Sequence, residues 1–247
     1  MATHYLTIER RTKDDHSPVT AADERSEAII LAGLSRVLPG VPVIAEESAI
    51  RAPARVESSC VIVDPLDGTK EFLAGRDEFT VNIGLVTGGR PIGGLISAPA
   101  QGLLWRGVVG HGAERMRMRW NEGLESALER RAIHARTAPK EGLVAAVSRS
   151  HLDPQSEAFL ARFNVARRYS CGSSIKFCHI AQADADIYPR LTPTSEWDIA
   201  AGCAILMAAG GTVTDPAGGA LRFADGKPKF LVPGFIAWGD PALAASR

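Results

Sequence analysis

The sequence predicts an α+β fold in which sheets and helices form separate layers. Candidate strands and helices are mixed along the chain, without the regular strand–helix–strand repeat of a doubly wound parallel sheet. Three consecutive apolar segments, FTVNIGLV, PIGGLISA and LLWRGVV, are separated by Gly- and Pro-containing turns, which predicts antiparallel hairpins. The length of 247 residues, 45% of them hydrophobic, is sufficient for one large domain or two small ones.

The first half of the chain begins with a predicted helix over Thr20–Leu38, where small or apolar residues recur at every fourth position. Two short strands follow, Val41–Ala45 and Cys60–Val63, and each leads directly into acidic residues. The three hairpin segments come next. The polar and basic stretch His111–Gly142 is expected to contain a joint between two domains, 1–138 and 139–247.

The second half alternates strands and helices. The segments LVAAV, ADIYPR and GTVTD are predicted to be strands. Helices are predicted from Pro154 to about Phe163, over Ser173–Ala183 and over Glu196–Ala209.

Composition narrows the classes of function. The chain has 28 basic and 28 acidic residues, so the whole protein has no net attraction to nucleic acid or anionic lipid. Its four cysteines form no C-x-x-C pair, and buried free thiols in a reducing cytoplasm are expected. The N-terminus lacks an apolar signal core, and the longest apolar run, Ile199–Gly211, is too short to span a bilayer.

The segment CVIVDPLDGTKEF places two acids directly after a buried strand. Asp64 precedes a proline, which favours an extended conformation, and Pro65 fixes its own φ angle. The chain then turns back, so Asp64 and Asp67 can point at one place, together with the carbonyl of Leu66. These oxygens are suitable ligands for a divalent cation.

An anion site is expected beside these acids. Gly68 permits a close approach of the backbone, and Thr69 is expected to cap a short helix whose free N–H groups favour a phosphate. A capped turn with solvated acids is the alternative interpretation.

Further acids occur in three other segments. Glu46–Glu47 follow a strand, and the same pair in other proteins is often only a solvated loop. Asp198 lies three residues after Ser195, and Asp23 lies three residues after Thr20, so both acids match capping boxes. Capping and catalysis are compatible, because a rigid helix start holds a carboxylate firmly.

Four of these acids, Glu46, Asp64, Asp67 and Asp198, would repel one another strongly if they were packed together without cations. All the candidate ligands are oxygens, which favours Mg²⁺ or Mn²⁺ over zinc. Two cations about 3.5–4 Å apart could bridge a phosphate and activate a water molecule.

Taken together, SPVTAAD, VPVIAEES, VDPLDGTKEF, FTVNIGL and WDIAAG occur in the order found in the inositol monophosphatase superfamily, which the chain resembles from Ser17 onward. Within it, Val147–His151, Gly172–Cys178 and Ala185–Arg190 are most similar to bacterial 3′(2′),5′-bisphosphate nucleotidases. The resemblance implies a layered αβαβα sandwich, with an α+β metal-binding domain over 1–138 and an α/β substrate-binding domain over 139–247.

The resemblance also implies roles for the acids. Glu46, Asp64 and the Leu66 carbonyl would bind one Mg²⁺, and Asp64, Asp67 and Asp198 would bind a second. A third, weaker cation would lie near Glu46, with Mn²⁺ as a possible substitute for Mg²⁺. Asp23 and Thr69, with Glu46, would orient and activate the attacking water.

The implied reaction is in-line hydrolysis of 3′-phosphoadenosine 5′-phosphate to AMP and phosphate, inhibited by lithium and linked to sulfate assimilation. The implied substrate-binding residues are Leu66, Asp67, Gly68, Thr69, His151, Ser173, Lys176, Arg190 and Asp198. A bisphosphate needs a second anion site, and Lys176 with Arg190 could supply it. The expected protein is a cytoplasmic monomer or homodimer, either free or bound peripherally at the cytoplasmic face of the inner membrane.

Three alternatives stay open at this point. A haloacid-dehalogenase-like phosphatase would use Asp64 as a nucleophile. In that class the two acids are two residues apart, whereas Asp64 and Asp67 are three residues apart. The same fold could act on inositol monophosphate or fructose 1,6-bisphosphate. A calcium-stabilised binding module is disfavoured, because the spacing does not match an EF-hand loop.

Overall fold

The computed structural model describes residues 10–12, 18–53, 55–119, 127–149 and 153–246. Within these ranges the strands are β1 (Arg10–Thr12), β2 (Pro18–Thr20), β3 (Val43–Ala45), β4 (Ser59–Asp67), β5 (Thr80–Thr87), β6 (Arg90–Ala98), β7 (Leu103–Val108), β8 (Gly112–Arg117), β9 (Leu128–Ile133), β10 (Leu143–Ser148), β11 (Val165–Cys171), β12 (Ile187–Arg190), β13 (Thr194–Ser195), β14 (Thr212–Thr214), β15 (Leu231–Val232) and β16 (Phe235–Trp238).

The helices in the same ranges are α1 (Ala21–Val37), α2 (Thr69–Leu73), α3 (Pro154–Leu160), α4 (Ile175–Ala181), α5 (Glu196–Ala208) and α6 (Pro241–Ala245). Short 3₁₀ helices cover Glu46–Arg51, Pro99–Gln101 and Pro228–Phe230. These bounds agree with the predicted helices to within one to three residues at most ends.

Two large sheets form the framework. The first has seven strands in the order β3-β4-β5-β6-β7-β8-β9, and the second has five in the order β11-β10-β12-β16-β14. In the first sheet β3 and β4 are parallel, whereas the pairs from β4 to β9 are antiparallel, which confirms the predicted hairpins. The second sheet mixes parallel and antiparallel pairs.

Alternate residues of β4 show how the layers are built. Val61 and Val63 pack toward α1 with Leu34, whereas Cys60 and Ile62 belong to the large core on the opposite face. Helices α4 and α5 contribute to that core and contact both sheets. Helices α3 and α6 cover the outer face of the five-stranded sheet. The order is therefore helix, sheet, helices, sheet, helices, which confirms the predicted αβαβα sandwich.

The stretch His111–Gly142, expected to contain a domain joint, also contains two strands that were not predicted. Strands β8 and β9 lie there and extend the large sheet. Strand β9 is the edge of that sheet, and of its residues only Ile133 is buried, so its charged sequence is that of an exposed edge strand. Strands β11 and β16 are also absent from the sequence-based assignment; β11 is an edge strand whose sequence is rich in arginine.

The two sheets come from successive parts of the chain, since the larger one ends at Ile133 and the smaller one begins at Leu143. Helix α5, which follows β13, nevertheless packs on the larger sheet. The division into domains 1–138 and 139–247 stays a prediction.

Candidate functional site

One polar cavity of about 270 Å³ is lined by residues from both halves of the chain. The predicted site residues in its lining are Glu46, Asp67, Gly68, Thr69, Ser173, Lys176, Arg190 and Asp198. His151, predicted to contact the substrate, lies outside the described residues. The fold therefore brings together side chains that are up to about 150 residues apart in the sequence.

The parallel pairing of β3 with β4 explains why two of the acids meet. Ala45 of β3 is aligned with Val63 of β4. The next residues along the chain, Glu46 and Asp64, therefore lie side by side at the same end of these two strands. Asp64 is 1% exposed, and its Oδ1 accepts a hydrogen bond from the Leu66 amide at 3.0 Å.

The acids in this region perturb one another's ionisation. Burial, followed by the charges of Glu46, Asp67 and Asp198, holds the pKa of Asp64 well above its usual range. Burial and the charge of Asp198 raise the pKa of Asp67 to about 6, although Lys176, the Ser174 amide and Arg190 oppose this shift. The charges of Glu46, Asp67 and Asp198 therefore all act on Asp64, and that of Asp198 acts on Asp67 as well.

Asp198 enters the site from the first turn of α5. It forms the predicted capping box with Ser195. Its Oδ2 also accepts a hydrogen bond from the Thr194 hydroxyl, and the Arg190 guanidinium lies 4.0 Å away. The helix start thus fixes the carboxylate at the cavity wall.

One face of α1 supports three different segments of the site. Ser26 Oγ donates to the Pro65 carbonyl at 2.8 Å, and Glu27 Oε2 accepts from the Glu47 amide at 2.8 Å. Asp23, 1% exposed, lies on the same face because the three positions are spaced by three and four residues. The sequence motif pointed to Asp23, but Ser26 and Glu27 are not evident without the structure.

Asp23 has two structural partners. Its Oδ2 accepts from the Thr20 amide at 2.8 Å, which completes the predicted capping box of α1. Its Oδ1 accepts from Thr69 Oγ1 at 3.2 Å. The two residues predicted to orient a water molecule are therefore in direct contact.

The structure corrects the capping role expected for Thr69. Gly68 is the residue that precedes α2, with a left-handed φ of 92°, and Thr69 is already the first residue of the helix. The Thr69 hydroxyl lies 3.2 Å from Asp23 Oδ1 in α1 and 3.3 Å from the Leu66 carbonyl oxygen in β4, so it joins these two segments and does not cap α2. Only glycine adopts the Gly68 conformation without strain.

Asp67 is oriented by residues that the sequence motifs did not single out. Its Oδ2 accepts from the Ser174 amide at 2.5 Å, and Thr80 and Asn82 lie at 3.5 Å from the same oxygen. Asn82 and Ser174 lie within the FTVNIGL and GSSIKFC segments. Asn82 could have been recognised from the sequence, because it is a polar residue inside an otherwise apolar strand.

The two cations predicted to bind a second anion have different surroundings. Lys176 is 3% exposed and donates to the carbonyls of Ser173 at 2.5 Å and Cys171 at 3.3 Å. Arg190 lies at the end of β12 and lines the cavity, and its buried Nε has no hydrogen-bond partner among the described residues. Of the two, Arg190 has the greater unused capacity to bind an anion.

These residues fit a divalent cation with hard oxygen ligands. The donors are carboxylates and a backbone carbonyl, and the crowded acids lack enough nearby positive charge. Within the described ranges, no three His, Cys, Asp or Glu side chains are already gathered at metal-ligand spacing. A cation would therefore also need the Leu66 carbonyl, water or phosphate oxygens as ligands, which is usual for Mg²⁺.

A layered sandwich with acidic residues gathered at one cavity is the architecture of a metal-dependent phosphatase. The chain belongs to the inositol monophosphatase family, whose model matches residues 2–245. This finding confirms the family and the class of enzyme that the motifs predicted. It also removes the haloacid-dehalogenase alternative.

Individual relatives are similar over most of their length. The 3′(2′),5′-bisphosphate nucleotidase CysQ of Salmonella typhimurium is 40% identical over 229 residues, which are 92% of this chain and 88% of that protein. CysQ of Escherichia coli K12 is 40% identical over 225 residues, 91% of this chain and 86% of that protein. The crystal structure of CysQ from Bacteroides thetaiotaomicron matches with a TM-score of 0.74 and 36% identity, covering 92% of this chain and 86% of that one.

Proposed function

We propose that this protein is a Mg²⁺-dependent 3′(2′),5′-bisphosphate nucleotidase that hydrolyses 3′-phosphoadenosine 5′-phosphate to AMP and phosphate, a reaction linked to sulfate assimilation. The observation that carries the proposal is the cavity itself. It is lined by acids from three separate segments and by Arg190, which has an unpaired buried Nε. A substrate with two phosphates can use the cations held by the acids for one phosphate and Arg190 for the other, and the similarity to bacterial nucleotidases supports this choice.

The proposal assigns two principal cation positions. Glu46, Asp64 and the Leu66 carbonyl would hold one Mg²⁺, and Asp64, Asp67 and Asp198 would hold the other, with a weaker third position near Glu46. Bound Mg²⁺ would supply charge stabilisation at the phosphate and a water molecule that loses its proton readily. Side chains and backbone amides of this chain would orient the water, move its proton and hold the phosphate.

Thr69 and Asp23 would orient the attacking water and accept its proton. The Thr69 hydroxyl donates to Asp23 Oδ1, so its lone pairs can accept a hydrogen bond from a water molecule on the cavity side. The water oxygen would form the new bond to phosphorus as the bond to the 3′ oxygen breaks. The proton lost by the water would pass through the Thr69 hydroxyl to Asp23, and the 3′ oxygen would take up a proton from a solvent water; Asp23 then returns its proton to solvent, so no proton is gained or lost overall. The amides of Gly68 and Thr69 would hold the phosphate, and Ser173 and Arg190 would contact the nucleotide.

A cytoplasmic location is part of the same proposal and is supported by the state of the cysteines. All four cysteines are free and buried, as expected in a reducing cytoplasm. No helix among the described residues is long and apolar enough to cross a membrane.

A substrate panel tests the proposal. kcat/KM should be measured with Mg²⁺, with and without Li⁺, for 3′-phosphoadenosine 5′-phosphate, inositol 1-phosphate and fructose 1,6-bisphosphate, with Asp64→Asn as the inactive control. The nucleotide should be preferred by at least about tenfold, and Li⁺ should inhibit. Preference for either sugar phosphate would overturn the substrate assignment, and Mg²⁺-independent turnover would overturn the mechanism.

A further inference from the structure

Two arginines face each other directly at the edge of the seven-stranded sheet. Arg115 of β8 is aligned with Arg131 of β9, so both side chains lie on the same face of the sheet. Like charges at directly opposed positions destabilise a sheet. Within the described ranges, neither guanidinium forms a hydrogen bond or an ion pair, although the Nε of Arg115 is buried. A buried N–H group normally has an acceptor, so this pair has unused capacity to bind an anion.

The opposite face of the same strands shows how arginines are neutralised elsewhere in this sheet. Glu114 lies between Arg106 of β7 and Arg130 of β9 and contacts them at 2.5 Å and 3.0 Å. Positive and negative charges therefore alternate across that face, as expected for a stable arrangement. The pair formed by Arg115 and Arg131 has no such carboxylate between its members.

The surroundings of Arg115 are positively charged. Burial, followed by the charges of Arg131 and Arg117, lowers the pKa of the Arg115 guanidinium. The charges of Glu129 and Asp184 oppose this shift. Both carboxylates are engaged by other groups, because Glu129 contacts Arg117 at 3.4 Å and Asp184 contacts a histidine and a glutamine. An added anion would therefore find two guanidinium groups that no carboxylate contacts.

The pair lies away from the acidic cavity. Residues that are aligned from strand to strand form one row across the sheet, which consists of Asn82, Ile96, Trp105, Arg115 and Arg131. Asn82 lies beside Asp67, and four strand spacings, or about 19 Å, separate it from Arg131. Neither arginine is among the residues that line the cavity. An anion bound by the pair would leave the proposed substrate position free.

We propose that Arg115 and Arg131 form a second anion site, which binds inorganic phosphate or a phosphate monoester. A phosphate monoester carries about two negative charges near neutral pH, which match the two guanidinium groups. The planar N–H donors of arginine suit the oxygens of such an anion. The bound anion would screen the repulsion between the arginines and give the buried Nε an acceptor. This site is separate from the proposed function and does not depend on it.

The test compares Arg131→Met with Arg130→Met as matched control. Both residues are exposed arginines of β9, but Arg130 lies on the opposite face and already contacts Glu114. Inorganic phosphate is titrated calorimetrically into each protein in EDTA and at low ionic strength, because salt screens such interactions. Wild type and Arg130→Met should bind phosphate with similar affinity. Arg131→Met should bind it at least about tenfold more weakly, since hydrogen bonds to a charged group are lost.

Thermal unfolding gives a second, independent measurement. Without phosphate, Arg131→Met should melt about 1–3 °C above wild type, because the repulsion from Arg115 is removed. Added phosphate should raise the melting temperature of wild type through binding to the native state, and this increment should be much smaller in Arg131→Met. A lower melting temperature of Arg131→Met without phosphate would indicate a purely structural arginine and would overturn the inference.

A third variant, Arg190→Met, separates this site from the cavity. Phosphate held by the arginine pair should still bind to Arg190→Met with wild-type affinity. AMP titrated into wild type and Arg131→Met distinguishes the two ligands: a tenfold difference between these proteins shows that the site accepts a phosphate monoester, and no difference restricts it to the free ion. No phosphate binding by wild type, loss of binding in Arg190→Met, or equal losses in Arg130→Met and Arg131→Met would overturn the inference.

Discussion

Replacing Asp67 by Asn should stabilise the metal-free protein while abolishing its activity. The carboxylate is crowded by Asp198 and by burial, which raise its pKa from 3.8 to about 6. At pH 7.5 the native protein must hold this acid ionised, and the difference in pKa corresponds to about 3 kcal/mol of lost stability, as an upper bound for a half-buried group. Asn has the same shape, has no charge and can still accept from the Ser174 amide.

The stabilisation should depend on pH in a defined direction. Below about pH 4 both the native and the unfolded carboxylate are protonated and there is no cost, whereas the cost grows between about pH 4 and pH 6, where only the unfolded chain loses its proton, and is complete above about pH 7. In EDTA at pH 7.5, Asp67→Asn should therefore raise the melting temperature by up to about 6–12 °C. At pH 4 the two proteins should melt at nearly the same temperature.

The same variant should respond differently to the metal. Mg²⁺ should stabilise wild type through binding to the native state, and this increment should be much smaller in Asp67→Asn. Phosphate release should fall about 100-fold or more. A metal-free variant that is no more stable than wild type at pH 7.5, or activity within tenfold of wild type, would refute the reasoning.

Three further predictions concern other parts of the molecule. Burial raises the pKa of Glu196 to about 7, so its ionisation should lower the free energy of unfolding of wild type by up to about 3 kcal/mol as the pH rises from 5 to 8. The free energy of unfolding of Glu196→Gln, measured by chemical denaturation, should lack this part of the pH dependence. An unchanged pH profile in the variant would contradict the prediction. Arg190→Met should raise the KM for 3′-phosphoadenosine 5′-phosphate about 10–100-fold more than that for 3′-AMP, since only the bisphosphate needs a second cation; equal increases would exclude Arg190 from that role. Gly94→Ala should destabilise the protein by about 3 kcal/mol, because the new Cβ would collide with the backbone carbonyl of Ala201 in α5; Gly33→Ala, with open space around it, is the matched control and should be neutral or stabilising in the same melts.

Short-range features of this fold were readable from the sequence. The two capping boxes, at Thr20 and Ser195, follow from side-chain spacing alone, and the hairpins follow from apolar runs between turns. The glycine at position 68 was expected to allow an unusual backbone conformation, and its φ of 92° confirms this. Each of these depends only on residues close together in the chain.

Long-range features were not readable in the same way. The contact of Ser174 with Asp67 joins residues 107 positions apart, and no local pattern encodes it. The burial of Lys176 is also a tertiary effect, because a lysine near a helix start is normally exposed. The edge strand β9 was missed for a related reason: its charges reflect its position at the end of a sheet, which depends on the packing of the other strands.

The central claim is that Glu46, Asp64, Asp67 and Asp198 bind divalent cations between them. Crystals soaked in MnCl₂ and measured at the manganese absorption edge would locate such ions directly through anomalous scattering. We expect at least two peaks, each within about 2.5 Å of carboxylate oxygens of these residues. If crystals soaked at saturating MnCl₂ show no anomalous peak among the four acids, or show peaks only elsewhere on the molecule, the claim is contradicted.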